Sequence, residues 1–349
     1  MRLLNTLLII FCFLSATIIS CSTDSDSSTE LNIDGSFNQL SKDQKVIYEI
    51  KTHIDKLLVG TDSGLHQLEP GSISWKSLGI DSAAVRAFLI FNNQELMAAS
   101  NFDNGDSLTI AKTADGGETW VSARNSYGGE KSHTIPTSLV QLDKNTSVLY
   151  AGGSLLTIAQ STNQGSNWKV LLGSWEGFGS IRFIRVNPKK PEVLWSGGTT
   201  ATFAPYLVKS TDGGGTWERL GILENVETTV YDVATHPSDN NTVIAGLGIG
   251  IRKSTDGGRS WTTTFDQAGI FTLARSARDG RIVYAAGTTR DGRLSFFASS
   301  DFGDTWQQVT LPDSPAGMQV NDMVSVTENG REVLYLGTNK GVYSYQFDE

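Results

Sequence analysis

The peptides KSTDGGGTW at residues 209–217 and KSTDGGRSW at residues 253–261 are nearly identical, and both end in tryptophan. A more degenerate copy, LEPGSISW, occupies residues 68–75. Three further copies stand between and after them: KTADGGETW at 112–120, QSTNQGSNW at 160–168 and SSDFGDTW at 299–306. Successive tryptophans of these six peptides are 45, 48, 49, 44 and 45 residues apart. One structural unit therefore recurs along the chain.

The sequence before each tryptophan motif has the pattern of two antiparallel strands. Residues 182–198, 230–248 and 273–287 each contain two apolar or alternating runs joined by a turn rich in Pro, Asn, Asp or Gly. A repeat of this length with several short strands is typical of a β-propeller blade. Seven such segments can be counted, beginning near Val46, Val85, Ser138, Ser180, Thr229, Gly269 and Met318. We therefore predict an all-β chain that forms a single seven-bladed β-propeller.

The two ends of the repeat region are predicted to meet. Residues 320–347 have the pattern of three strands but carry no tryptophan motif. The segment GSFNQL at residues 35–40 aligns with GSISWKSL at 71–78, which places Phe37 at the position of Trp75. We expect this N-terminal strand to complete the seventh blade and close the ring, so that neither sheet edge stays free.

The motif SxDxGxTW resembles the Asp-box, or BNR repeat, of sialidases, sortilin-type receptors, xyloglucanases and photosystem II assembly factors. The resemblance implies that the acidic side chain bonds back to a tight turn, that the glycine has positive φ, and that the tryptophan packs between blades. It implies a structural role, on the outer edge of the face opposite the usual active site. The matching residues are Asp115, Trp120, Asn163, Trp168, Asp212, Trp217, Asp256, Trp261, Asp301 and Trp306.

The first 21 residues have the features of a lipoprotein signal. Arg2 precedes an apolar run that extends to Ile19. Ile18 to Cys21 resembles a bacterial lipobox, which implies a signal peptide over residues 1–20 and a lipid anchor on Cys21. An uncleaved transmembrane anchor fits less well, because a span needs about 20 apolar residues.

The segment after the cysteine is predicted to be a tether. Residues 21–32 are acidic and rich in serine, which favours disorder; the propeller is predicted over 33–349. An acidic stretch at this place is similar to export signals of surface lipoproteins in Bacteroidetes. We expect attachment to the bacterial outer membrane through the lipid, on the periplasmic side or at the cell surface.

Composition excludes several classes of protein. The formal net charge is −9, which disfavours a nucleic-acid partner. Two cysteines and four scattered histidines cannot build a disulfide scaffold or a Cys/His zinc site. We predict no metal and no cofactor.

The candidate ligand face is predicted on the loops that lead from each fourth strand to the next blade and from second to third strands. These loops are longest at residues 122–137, 173–179, 197–206 and 287–293. Aromatic side chains beside charged ones suit a sugar or peptide surface. The candidate residues are Arg124, Tyr127, Glu130, Trp175, Glu176, Tyr206, Arg290 and Arg293.

The sequence favours a binding protein over an enzyme. The Arg-Ile-Pro string of sialidases is missing, and Arg185 lies in an ordinary inner strand. The size resembles photosystem II assembly factors, which implies a non-catalytic propeller that binds an envelope protein or glycan, as an assembly or stability factor. Two alternatives stay open: a structural subunit of an envelope complex, and a glycoside hydrolase or polysaccharide-utilisation lipoprotein. The hydrolase would draw its carboxylates, roughly 5 to 9.5 Å apart, from Asp103, Glu130, Glu176, Glu227, Asp232 or Asp322.

Overall fold

The computed structural model describes eight stretches of the chain, namely residues 31–40, 45–69, 74–100, 109–122, 136–143, 146–173, 179–223 and 226–348. The predicted signal peptide, Cys21 and the tether up to residue 30 lie outside the described residues.

The described residues form 28 strands. In chain order they are β1 (Gly35–Gln39), β2 (Ile47–His53), β3 (Lys56–Thr61), β4 (Gly64–Leu68), β5 (Trp75–Ser77), β6 (Val85–Ile90), β7 (Leu96–Ser100), β8 (Thr109–Thr113), β9 (Val121–Ser122), β10 (Pro136–Gln141), β11 (Leu149–Gly153), β12 (Ile158–Ser161), β13 (Lys169–Leu172), β14 (Ser180–Asn187), β15 (Lys190–Thr199), β16 (Pro205–Ser210), β17 (Glu218–Arg219), β18 (Val230–Thr235), β19 (Val243–Leu247), β20 (Gly250–Ser254), β21 (Thr262–Phe265), β22 (Ala268–Arg275), β23 (Val283–Thr289), β24 (Leu294–Ser299), β25 (Gln307–Gln308), β26 (Val320–Glu328), β27 (Arg331–Thr338) and β28 (Gly341–Phe347).

These strands make seven four-stranded antiparallel sheets, which are the blades of a β-propeller. Blades 1 to 6 each use four consecutive strands, beginning with β2, β6, β10, β14, β18 and β22. The first strands of neighbouring blades contact one another around the whole ring, including the contact of β26 with β2. They therefore line the central channel, and the fourth strands lie outside. The predicted fold class is confirmed.

The seventh blade is closed as predicted, because β1 pairs with β28 as its fourth strand. Phe37 lies opposite Tyr345, the register that Trp75 and Leu68 have in blade 1. The Phe37 ring stacks on Tyr343 with centroids 4.9 Å apart. Since strands from both ends of the described chain share this sheet, the ring has no free edge at its closure.

Close packing between blades explains the small residues in the second strands. A Cβ on Gly60 of β3 would lie 2.6 Å from the carbonyl oxygen of Val85, which begins the first strand of blade 2. A Cβ on Gly152 would lie 2.6 Å from Ile181 of the next blade. Larger side chains at these positions would push neighbouring sheets apart, so the tight inner radius of the ring depends on them.

Each tryptophan of the repeat packs at a seam with the preceding blade. Trp120 contacts the cluster that contains Leu58 and Leu78 of blade 1, and its indole Nε1 donates a 2.8 Å hydrogen bond to the Leu78 carbonyl. Trp217 packs on the cluster of Tyr150 in blade 3. Trp75, Trp168, Trp261 and Trp306 have corresponding places. Phe37 takes this place at the seam of blades 6 and 7.

The turn between third and fourth strands repeats one set of hydrogen bonds. In blade 4, Asp212 Oδ1 accepts from the Thr216 amide at 2.8 Å and from the Ser210 hydroxyl at 2.8 Å. Ser210 Oγ also accepts from the Gly214 amide at 2.8 Å, and Gly214 has a φ of 83°. Asp115, Asn163, Asp256 and Asp301 accept the corresponding bonds in blades 2, 3, 5 and 6. These side chains stabilise their own turns.

Long side chains of the third strands join these turns to the preceding blade. Lys209 Nζ donates to the Gly257 carbonyl at 3.0 Å, and Lys253 Nζ pairs with Asp304 at 2.7 Å. In blade 3 a second-strand side chain does the same, because the Tyr150 hydroxyl donates to the Gly213 carbonyl at 2.7 Å. The motif turns are thus used as inter-blade contacts on one face of the ring.

Replacement of Trp217 by alanine tests the seam packing. The indole is half buried, so Trp217→Ala should lower the free energy of unfolding by about 3 kcal/mol, the low end for aromatic truncation. Urea unfolding measures this change. Val121 is 72% exposed, and Val121→Ala should stay within about 0.5 kcal/mol of the parent. Equal stability of the two variants would contradict the packing role of Trp217.

Asp212 allows a second test, because blade 3 carries asparagine at the matching position. The amide and hydroxyl of Thr216 and the hydroxyl of Ser210 lower the pKa of Asp212 to about 2. At pH 7, Asp212→Asn keeps the Oδ1 acceptor, so its melting temperature should exceed that of Asp212→Ala. The parent should lose the contribution of the carboxylate between pH 4 and pH 2, since its folded pKa is lowered. Equal losses in both variants at pH 7 would show that the acceptor oxygen does not stabilise the turn.

Candidate functional site

All seven first strands contain an irregularity near their N-terminal end. The register with the second strand shifts between Ile47 and Glu49 in blade 1, and the same shift occurs at the matching place in every other blade. A bulge adds one residue that has no partner across the sheet and turns its side chain away from the pleat. The seven bulge residues, which we name the bulge ring, are Tyr48, Arg86, Thr137, Arg182, Tyr231, Phe271 and Asn321.

The bulge ring lies at one mouth of the central channel. Its members are exposed or half exposed, although the residue before each of them is buried. All seven line one cavity of about 310 Å³. Since they lie at the start of the first strands, this mouth is on the face that carries the loops from fourth to first strands. The ligand residues were predicted from the sequence on loops of this same face.

Aromatic rings and guanidinium groups lie beside one another at two places in the bulge ring. The Arg86 guanidinium carbon lies 4.7 Å from the centroid of the Tyr48 ring, and that of Arg182 lies 5.8 Å from Tyr231. Tyr231 and Phe271 pack with centroids 4.8 Å apart at an angle of 57°. These contacts hold the two arginine side chains on aromatic faces at the mouth of the channel.

Below the bulge ring, the next residue of several first strands bonds to the neighbouring blade. Glu49 Oε2 accepts from the Phe88 amide at 2.7 Å, and Ser138 Oγ accepts from the Ile184 amide at 3.1 Å. The carboxylates of Asp232 and Asp322 do the same, accepting from the amides of Leu273 at 3.1 Å and Ile50 at 3.0 Å. These four side chains therefore connect the blades around the channel.

Two basic groups neutralise carboxylates at this level. Arg185 Nη2 lies 2.9 Å from Asp232 Oδ1, and Lys51 Nζ lies 2.9 Å from Glu49 Oε1. Burial works to lower the pKa of Arg185, but the charges of Asp232 and Asp322 outweigh it, so the pKa rises. The channel floor is therefore a cluster of paired charges.

Asp322 is the third carboxylate of this cluster, and the pKa of its carboxyl group is raised. Burial, and next the negative charge of Glu49, raise the pKa of its carboxyl group to about 7, against the opposing effects of the Ile50 amide and Arg185. Part of the Asp322 population is therefore protonated at neutral pH.

Only three of the eight ligand residues predicted from the sequence lie within the described residues. Five of them, Arg124, Tyr127, Glu130, Trp175 and Glu176, lie outside the described residues, as does Asp103. Arg290 and Arg293 are exposed on the β23–β24 loop and do not line the channel cavity, and Arg293 pairs with Asp291 at 2.7 Å.

Tyr206 does not lie on an open surface, which corrects the sequence prediction. It is only 8% exposed, because strand β16 turns its ring into the core cluster of blades 3 and 4. Among the proposed hydrolase carboxylates, Glu227 is exposed before β18, and Asp232 and Asp322 lie in the channel.

Sequence reasoning missed the bulge ring and treated Arg185 as part of an ordinary strand. A signal was present, since an aliphatic residue or proline precedes each bulge residue, whose own character varies from blade to blade. Strand alternation alone gave no reason to place these seven residues together.

The described residues contain no group of three or more His, Cys, Asp or Glu side chains placed to hold a metal ion. Over the same stretches, the structure has no helix with the length and apolarity needed to cross a bilayer.

Comparison with known proteins supports the fold. No family model matches the chain. A xyloglucanase of Hypocrea jecorina (strain QM6a) is 29% identical over 173 residues, which cover 47% of this chain and 19% of the relative. The match thus spans about a fifth of the length of that xyloglucanase.

Solved structures agree over nearly the whole chain. YCF48 bound to D1 peptide superposes with a TM-score of 0.66 at 16% identity, covering 92% of this chain and 96% of that one. The GH74 xyloglucanase from Xanthomonas campestris superposes with a TM-score of 0.65 at 12% identity, covering 89% of this chain and 53% of that one. The chain shares the seven-bladed propeller fold with both proteins.

The raised pKa of Asp322 predicts a pH-dependent stability. Between the unfolded pKa near 4 and the folded pKa of about 7, the folded chain binds more protons than the unfolded chain. This contribution to the free energy of unfolding therefore falls as the pH rises from 4 to 7. Asp322→Asn removes the titration, so the variant should gain stability relative to the parent between pH 5 and pH 8 in urea unfolding. A difference that stays constant with pH would contradict the assignment.

Proposed function

We propose that this protein is a non-catalytic binding propeller, anchored by lipid on Cys21 at the bacterial outer membrane, whose protein or glycan partner docks at the channel mouth. The observation that carries the proposal is the bulge ring, which presents seven side chains at one register around a single cavity. Aromatic and arginine side chains are the types most often responsible for affinity in binding surfaces.

The channel carboxylates support binding without hydrolysis. Glu49, Asp232 and Asp322 each accept a hydrogen bond from a backbone amide of the next blade. Glu49 and Asp232 are also paired with Lys51 and Arg185. A general acid or nucleophile needs access to the substrate, whereas Glu49 and Asp232 are each held by an ion pair and an inter-blade hydrogen bond.

Similar proteins support both kinds of partner. The YCF48 structure contains a D1 peptide, which supports a propeller of this type as a protein-binding module. The 29% match to a xyloglucanase supports a glycan ligand, and it also gives some support to the alternative of a glycoside hydrolase. The outer-membrane location rests on the lipobox and on the acidic segment behind it.

Binding and turnover are separated by one set of assays on residues 31–349. Plant xyloglucans, sialosides, marine polysaccharides and a peptide array are tested for binding, and the glycans also for release of reducing sugar. We expect binding without sustained sugar release. Phe271→Ala should weaken the binding about tenfold, the effect of losing an aromatic anchor.

Phe203→Ala is the matched control, because Phe203 is 64% exposed on the β15–β16 loop and does not line the cavity. Its affinity should equal that of the parent. Sustained turnover would favour the hydrolase, and binding that survives Phe271→Ala would place the ligand elsewhere.

A further inference from the structure

We infer that the channel mouth is a site for a saccharide that carries a carboxylate, with Arg86 and Arg182 as the groups that recognise the negative charge. The inference rests on the proposed binding at this mouth and names the class of ligand.

Two of the four basic side chains that line the channel mouth form no ion pair with a described carboxylate. Lys51 and Arg185 are neutralised by Glu49 and Asp232. Arg86 and Arg182 are exposed, and among the described residues no carboxylate lies within 4.0 Å of either guanidinium. Asp322 is the remaining carboxylate of the described lining and is partly protonated at neutral pH, so the described lining keeps a net positive charge on a chain whose net charge is −9. Such a local field attracts an anion.

Arg86 and Arg182 are both held by aromatic rings. Each guanidinium lies over a tyrosine ring, Arg86 on Tyr48 and Arg182 on Tyr231. A cation–π contact restrains the guanidinium and uses none of its N–H donors in a hydrogen bond. Planar donors held in advance suit a carboxylate, which accepts two parallel hydrogen bonds. Less side-chain entropy is lost on binding than with free arginines.

The aromatic side chains of the channel mouth favour a sugar over a peptide. Tyr231 and Phe271 form adjoining aromatic faces, onto which the C–H face of a pyranose can stack. Within the described part of the chain, no hydrogen bond occupies the hydroxyl of Tyr48 or Tyr231, so both can meet sugar hydroxyls. The cavity of about 310 Å³ is at the small end for ligand pockets. It therefore accommodates the end of a chain or a single acidic sugar unit.

The experiment uses residues 31–349 with tetragalacturonic acid and with its fully methyl-esterified form, which has the same rings without the charge. Isothermal titration should show the acid binding at least tenfold more tightly than the ester, as expected for loss of charge-assisted hydrogen bonds. Arg86→Gln and Arg182→Gln should each weaken binding of the acid about tenfold. Both side chains are exposed, and unchanged melting temperatures will verify that the variants fold.

Arg290→Gln is the matched control, because Arg290 is exposed on the same face but does not line the cavity. It changes the net charge by the same amount and should leave the affinity unchanged. Equal affinity for acid and ester, no binding of the acid, or equal effects of all three variants would overturn the inference. Equally tight binding of tetraglutamate would overturn the saccharide class and favour an acidic peptide.

These outcomes are distinct from failure of the proposed function. If a neutral glycan binds and this binding is lost in Phe271→Ala, the inference of an acidic ligand would be overturned, but the proposal of a binding propeller would stand. Sustained turnover of any glycan would overturn the non-catalytic function itself.

Discussion

The ring depends on the packing of each blade against the next. First strands approach the second strands of the preceding blades closely because small residues such as Gly60 and Gly152 leave room for the facing backbone or side chain. Farther out, a half-buried tryptophan fills the widening seam in six blades, and Phe37 does so in the seventh. Since every blade has two seams, the ring is stable only when it is closed. The pairing of β1 with β28 provides that closure.

The bulges in the first strands combine a structural and a functional consequence. One residue of each bulge is turned into the channel mouth, and the residue after it lies where it can bond to the next blade. Glu49, Ser138, Asp232 and Asp322 make such bonds, so the floor of the mouth is built from contacts that hold the ring together. Among the bulge residues above them, Thr137 and Asn321 also donate to a carbonyl of the next blade. The bulge side chains differ from blade to blade and give the mouth its chemistry.

The two faces of the ring differ in what their polar groups do. On the face of the tryptophan motifs, Asp212 and its counterparts are occupied by hydrogen bonds within their own turns. Lysines of the third strands add contacts from those turns to the preceding blade. At the channel mouth, Arg86 and Arg182 rest on aromatic rings with their donor edges available. The channel mouth therefore has polar groups that can bind a ligand, whereas those of the opposite face stabilise turns and contacts between blades.

The repeat in the sequence was sufficient to predict the blades, their number and the strand that closes the ring. Each of these properties follows from local patterns, namely strand alternation, turn residues and the spacing of tryptophans, and the alignment of Phe37 with Trp75 matches the observed register. The site could not be predicted in the same way. Tyr206 follows a long loop that was predicted to bind ligand, but its side chain is turned into the core. Arg185 pairs with Asp232 across a seam between blades, which no local sequence pattern indicates. The bulge ring joins residues from seven separate strands, and no local pattern connects them. Only closure of the ring brings them to one cavity, because the channel exists only where all seven first strands meet.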